Sequence, residues 1–301
     1  SIGNFTKLYM IDLGSNSLSG SIPPSINKLK NCYWFAAEDN FLNGTLPIEP
    51  GSLVSLSGLI LWENMLSGTI PTALGTLPVI KIILLGGNLL EGTIPNIGVM
   101  PTLEAFIFYE NLLTGTIPPF FDDMPALIAV ALGHNFLNGT IPENILNPPF
   151  MVGIGLEANS LTGTIPSSIG NLKYLMGLSL HSNMLTGTIP PSIGNATNLM
   201  ALELANNQLE GSLPETMSRL ESLFWLSVKR NDLTGDMSFM CGVSSAFLQA
   251  DCDPGESGIR EIVCSCCLVC CRDGIQDSSC DGNFLPADAL VKECVADGSC
   301  Y

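Results

Sequence analysis

The chain has 301 residues, of which 46% are hydrophobic, and a formal net charge of −17 from 28 acidic and 11 basic side chains. That charge repels phosphate and excludes nucleic acid as a natural partner. The mean hydropathy is +0.37, yet no apolar stretch approaches the roughly 20 residues that a membrane span requires, so the apolar excess must form a core.

Residues 1–8, SIGNFTKL, repeat the pattern of residues 192–199, SIGNATNL. The chain therefore opens in the middle of a repeat, and an upstream cap, signal or anchor is expected before it. From there Asn16, Asn40, Asn64, Asn88, Asn111, Asn135, Asn159, Asn183, Asn207 and Asn231 recur every 24 residues, with one 23-residue step between Asn88 and Asn111. Leu follows each Asn by two places and Gly by four, and Pro follows by seven in nine repeats, from Pro23 to Pro214. A unit this short cannot bury its own apolar face, so the ten units must stack and share one core.

In residues 175–198 the alternation Leu178, Leu180 predicts a short strand with one face inward. The Asn that ends it both donates and accepts, so stacked amides can satisfy backbone groups that the strand ladder no longer reaches. Gly187 permits a tight bend, and Pro190 fixes φ and ends ladder pairing on the convex side. These columns are scaffold and not a catalytic set. The 23-residue step falls on a shortened convex segment, Pro95-Asn96-Ile97-Gly98, where it can bend the groove.

The segment Leu66-Ser67-Gly68-Thr69-Ile70-Pro71 and eight similar copies resemble the L-x-G-x-I-P signature of the plant-type leucine-rich repeat, over residues 1–240. The resemblance implies an α/β-type solenoid: a right-handed superhelix with a concave parallel β-sheet, a second layer of short strands and helical turns on the convex side. It also implies an extracellular recognition module, as in receptor ectodomains and secreted inhibitors of wall-degrading enzymes. No cofactor is expected.

Residues 241–301 lack the repeat and hold Cys241, Cys252, Cys264, Cys266, Cys267, Cys270, Cys271, Cys280, Cys294 and Cys300. Ten cysteines in so short a segment are expected to form a small disulfide-rich C-terminal cap, because the last repeat would otherwise expose its core. A thiolate metal cluster fits less well, as the segment contains no His. Adjacent cysteines such as Cys266 and Cys267 rarely pair with each other, and the connectivity is open. Leu248 to Cys252 and Val263 to Cys271 resemble the tail of leucine-rich repeat surface proteins of diatoms and related algae. Cys32 occupies a column otherwise filled by Leu8, Leu56 and their equivalents, which predicts a buried hydrophobe. Four sequons, at Asn4, Asn43, Asn138 and Asn195, are candidate glycosylation sites and favour the secretory route and the cell surface.

Side chains two, four and six places before each Asn should point out of the concave sheet. In repeats two to five these positions carry Trp34, Ile60, Trp62, Ile82, Leu84, Ile107 and Tyr109, bordered by Glu38, Asp39, Glu63 and Glu110. Aromatics rimmed by charge are the usual composition of a binding hot spot, about 15–20 Å long at the strand spacing. The competing reading is that they pack on one another across strands. Repeats six to nine carry Gly and Ala there, which predicts a shallow floor where a partner backbone could approach closely.

The expected partner is a basic or apolar protein or peptide; the alternatives are a structural component that self-assembles outside the cell and a carbohydrate-binding module that stacks sugars on its aromatics. Catalysis has little support. His134 and His181 fall two repeats apart, and Glu157, His181 and Glu203 form at most a local polar cluster. The column Thr45, Thr69, Thr93, Thr116, Thr140, Thr164 and Thr188 invites an ice-binding or mineral-templating reading, but Thr is also ordinary at this place in such repeats.

Overall fold

Each repeat places a three-residue strand before its Asn and a second short strand after it, because the alternation of core leucines is interrupted at the Asn and resumes beyond it. The computed structural model describes residues 1–242, 247–251 and 269–271. The chain divides into two compact units, Ser1–Asn138 and Gly139–Tyr301.

In the first unit the strands Met10–Asp12, Trp34–Ala36, Gly58–Ile60, Ile82–Leu84, Ala105–Ile107 and Ala129–Ala131 form the concave sheet. They pair in parallel, and equivalent columns face each other, as in Phe35 with Leu59 and Leu84 with Ile107. Their middle residues, Ile11, Phe35, Leu59, Ile83, Phe106 and Val130, are buried in the core. Burying a side chain of this size stabilises by about 1.5–3 kcal/mol.

The second sheet comprises Ser19–Ser21, Phe41–Gly44, Met65–Thr69, Leu89–Thr93, Leu112–Thr116 and Phe136–Thr140. Here the register differs. Asn43 faces Met65, Ser67 faces Leu89, and Thr114 faces Phe136, so each strand is displaced by two residues relative to its neighbour. Across the 23-residue step Leu84 still faces Ile107 and Leu112 faces Glu91. The deletion is therefore absorbed on the convex side, where residues 94–100 form no helix, and neither sheet changes register.

In the second unit the concave strands Gly153–Gly155, Gly177–Ser179, Ala201–Glu203 and Trp225–Ser227 continue into Phe247–Asp251 and Val269–Cys271, all parallel. Leu248 and Ala250 are buried. The disulfide-rich cap and the side chains of its ten cysteines otherwise lie outside what is described.

On the convex side, single turns of 3-10 helix begin directly after Pro23, Pro71, Pro166, Pro190 and Pro214, whose φ values lie between −72° and −64°. The Gly four places after each Asn takes positive φ, from Gly20 to Gly235, as the bend requires.

The asparagine ladder works as the residue type dictates. Asn88 Oδ1 accepts from the Leu66 N–H at 2.9 Å, and its Nδ2 donates to the Leu61, Leu85 and Gly86 carbonyls at 3.0, 3.2 and 3.1 Å. Asn40, Asn64, Asn111 and Asn135 repeat this pattern in the first unit, Asn183 and Asn207 in the second. Cys32 is fully buried, and its thiol donates to the Trp34 carbonyl at 3.4 Å.

Candidate functional site

The concave face of the first unit is less open than strand alternation implies. Ile60, Leu84, Ile107 and Tyr109 are 6%, 7%, 3% and 5% exposed, which corrects the expectation that they face solvent. The reason is lateral. Ile60, Leu84 and Ile107 are successive register partners on strands about 4.8 Å apart, so their side chains cover one another. Trp34, Trp62 and Ile82 keep part of their surface, Glu38 is half-buried, and Asp39, Glu63 and Glu110 are exposed.

Glycines complete this surface. A Cβ on Gly58 would overlap the Trp34 ring, one on Gly86 the Tyr109 ring, and one on Gly14 the Glu38 carboxylate. Each large side chain thus lies flat on a neighbouring repeat whose own side chain is missing. The signal was present in the sequence, as Gly58, Gly86 and Gly14 occupy the same columns as Trp34, Tyr109 and Glu38, but which way each side chain leans was not. The Trp34 ring lies against Gly58, and the tilted Tyr33 ring has its centroid 5.8 Å from that of Trp34. Tyr33 in turn stacks on Tyr9 at 5.0 Å.

A second feature escaped the sequence reading. The residue immediately before each Asn is left-handed: Ser15, Asp39, Glu63, Glu110 and His134 in the first unit have φ between 49° and 53°. This geometry breaks the alternation and turns Asp39, Glu63 and Glu110 outward, placing an acidic rim beside the half-exposed tryptophans. Lys81 pairs with Glu104 at 2.7 Å, and the acids Asp12, Glu38 and Asp39 form no ion pair among the described residues.

In the second unit the concave floor is covered rather than open. Gly153, Gly155, Gly177 and Ala201 are buried, and Trp225 packs on Ala201. Glu157, Ser179, Glu203 and Ser227 are buried polar residues. His181 Nε2 lies 3.7 Å from a Glu203 oxygen, and Nδ1 lies 3.1 Å from the Ser182 hydroxyl, so His181 and Glu203 do form the expected polar contact.

Asn4, Asn43, Asn138 and Asn195 are all exposed. The Thr column is exposed as well, and the methyls of Thr45, Thr69, Thr93, Thr140, Thr164 and Thr188 rest on the Gly of the next repeat, as Thr69 does on Gly92. Because the second sheet shifts by two residues per strand, Thr69 faces Glu91, and Thr114 faces Thr93 on one side and Phe136 on the other. Equivalent threonines are therefore not direct cross-strand partners, and their column runs obliquely to the strands. Among the described residues no helix is long and apolar enough to cross a membrane, and no group of three metal-ligating side chains occurs.

The family model for the Leucine Rich Repeat matches residues 7–29, 174–196 and 198–220. Among solved structures, the plant peptide hormone receptor RGFR1 in complex with RGF2 is 28% identical with a TM-score of 0.80, covering 83% of this chain and 41% of that one. The ectodomain of the Arabidopsis receptor kinase HAESA, in complex with an extended IDA peptide hormone, is 25% identical with a TM-score of 0.62, covering 87% and 54%. A plant ice-binding protein is 28% identical with a TM-score of 0.64, covering 76% and 73%. The chain spans roughly half the length of the receptor ectodomains or less. No curated protein matches it significantly by sequence. The chain carries leucine-rich repeats in a solenoid fold and is similar to plant receptor ectodomains.

Proposed function

We propose that this chain is an extracellular ligand-recognition module that binds a peptide on the concave face of its first unit. The observation that carries the reading is the pair Trp34 and Trp62, half-exposed on a rigid sheet and bordered by Glu38, Asp39, Glu63 and Glu110. Rigid aromatics at the centre of a polar rim supply most of the affinity in such interfaces, and the acidic rim selects a basic partner and speeds encounter. Two receptor structures similar to this chain hold peptide hormones, which supports a peptide over a sugar. Four exposed sequons and a cysteine-rich C-terminal segment, read as an oxidised cap of the kind seen in algal surface proteins, fit a cell-surface or secreted address.

The test is a pull-down with the intact chain, followed by titration of the captured peptide against Trp34→Ala/Trp62→Ala. The double variant is expected to bind at least thirtyfold more weakly, corresponding to about 2 kcal/mol for a central aromatic anchor. Unchanged affinity rejects the concave site.

A second reading, ice binding through the second sheet, is favoured by the exposed Thr column and by the similarity to a plant ice-binding protein. The two-residue shift per strand works against it, because it sets successive threonines of the column about 8 Å apart on an oblique line instead of at the roughly 4.8 Å of direct cross-strand partners. Thermal hysteresis abolished by Thr69→Tyr/Thr93→Tyr would establish it, and its absence in the unmutated chain would dismiss it.

A further inference from the structure

The second sheet of the first unit carries an apolar stripe that its scaffold does not need. Phe41, Met65, Leu89, Leu112 and Phe136 open five consecutive strands and are 54%, 41%, 47%, 41% and 60% exposed. The core leucine that each strand requires is the next residue, as in Leu42, Leu66 and Leu90, all buried. In the second unit the same column reads Ser160, Met184, Gln208 and Asp232, so the repeat itself does not demand an apolar group there. Five exposed large side chains in successive repeats make a patch of the kind that marks an interaction surface.

Charge indicates what covers it. Asp39, Glu63 and Glu110 stand two places before Phe41, Met65 and Leu112, exposed along one side of the stripe, and exposed Glu91 stands on the other. No Lys or Arg occurs in any second-sheet strand of this unit. Beside Leu89 and Phe136 this column holds Gly87 and His134, and in the second unit it holds Ala158, Ser182, Asn206 and Arg230, so the acids of this column occur only alongside the stripe. A second copy would set acid against acid along this border, and an anionic lipid surface would be repelled by it.

The stripe's length follows from the register. A displacement of two residues, about 6.6 Å, across strands about 4.8 Å apart puts successive stripe residues roughly 8 Å apart, so Phe41 and Phe136 span about 30 Å. An α-helix of about 20 residues covers that length.

We infer that this stripe is a docking surface, distinct from the tryptophan pair of the concave groove but sharing Asp39, Glu63 and Glu110 with its rim, for a basic amphipathic segment of a partner protein, whose apolar side chains lie on Phe41, Met65, Leu89, Leu112 and Phe136 and whose Lys and Arg residues meet the acidic border. Asn43 and Asn138 stand two residues beyond Phe41 and Phe136 and are exposed, so glycans on these sequons would frame the stripe at its ends and leave Met65, Leu89 and Leu112 open.

The probe is a synthetic 20-residue amphipathic peptide of Leu and Lys, titrated by fluorescence anisotropy into the intact chain beside a scrambled peptide of equal charge. The ordered peptide is expected to bind at least tenfold more tightly than the scrambled one. Met65→Glu/Leu112→Glu should remove that advantage while leaving the circular-dichroism melt unchanged, and Leu89→Gln should weaken binding severalfold as a milder control. Trp34→Ala/Trp62→Ala should leave it intact, which separates this surface from the concave one. Equal binding of both peptides, insensitivity to the stripe variants, loss on the tryptophan variants, or a concentration-dependent dimer that the stripe variants dissolve would each overturn the inference.

Discussion

Asn88→Ala tests the physical role of the ladder most directly. The side chain is 5% exposed and makes four hydrogen bonds. Three of the groups it serves have a second partner: the Leu61 carbonyl also accepts from Asn64 Nδ2 at 3.3 Å, the Leu85 carbonyl from Asn111 Nδ2 at 3.0 Å, and the Gly86 carbonyl from the Glu63 N–H at 2.9 Å. The Leu66 N–H is bonded to Asn88 Oδ1 at a buried position, and truncation orphans it. A buried unsatisfied donor costs about 1–3 kcal/mol, and three carbonyls losing one of two donors add a few tenths each, so about 2–4 kcal/mol is expected. Asn88→Asp should cost more than Ala, because a carboxylate can accept from Leu66 but would be buried against three carbonyl oxygens. Asn16→Ala, by contrast, removes exposed bonds to the Leu13 and Gly14 carbonyls, which water can replace, and should cost under about 1 kcal/mol. Urea unfolding followed by circular dichroism gives all three values. Equal losses at Asn16 and Asn88, or an Asp variant milder than Ala, would refute the reasoning.

Gly58→Ala should push the Trp34 ring off its cradle, at a cost of about 1–3 kcal/mol for overpacking, and the emission of Trp34 should shift to the red. Ala158 has φ 49°, so Ala158→Val should destabilise by about 1–2 kcal/mol while Ala158→Asn, which tolerates that region, should be neutral or better by thermal melt. Burial pushes the Cys32 thiol above its ordinary range. Cys32 should therefore resist alkylation in the folded chain and react only on unfolding. Since the folded state holds the proton more tightly, its contribution to stability is complete below pH 9.0 and declines as pH rises toward the folded value, which a stability titration of Cys32→Ser against the parent can read.

Much of the scaffold was legible because each column has one physical task. The repeat pattern made the concave strand, the bend and the buried amides legible, the second strand layer came from the resemblance to the plant-type repeat, and the Cys32 column made a buried thiol legible. The tryptophans of the concave face were legible as binding candidates, but Ile60, Leu84, Ile107 and Tyr109 were not legible as buried. Their exposure depends on what stands one repeat away: Gly86 makes room for Tyr109, and Ile60 is covered by Leu84. The stripe from Phe41 to Phe136 was passed over because its apolar residues are interleaved with core leucines of the same composition.

The sequence by itself determined the period, the concave strand of each repeat and the side of that sheet on which each residue starts, since these follow from local alternation and from backbone groups that must be paired. Only the tertiary structure decided which outward residues meet solvent. The left-handed turn before each Asn sends Asp39, Glu63 and Glu110 outward, and the two-residue shift of the second sheet sets its equivalent columns oblique to the strands. Both are consequences of stacking, in which exposure at one position is set by the side chain, or its absence, one repeat away.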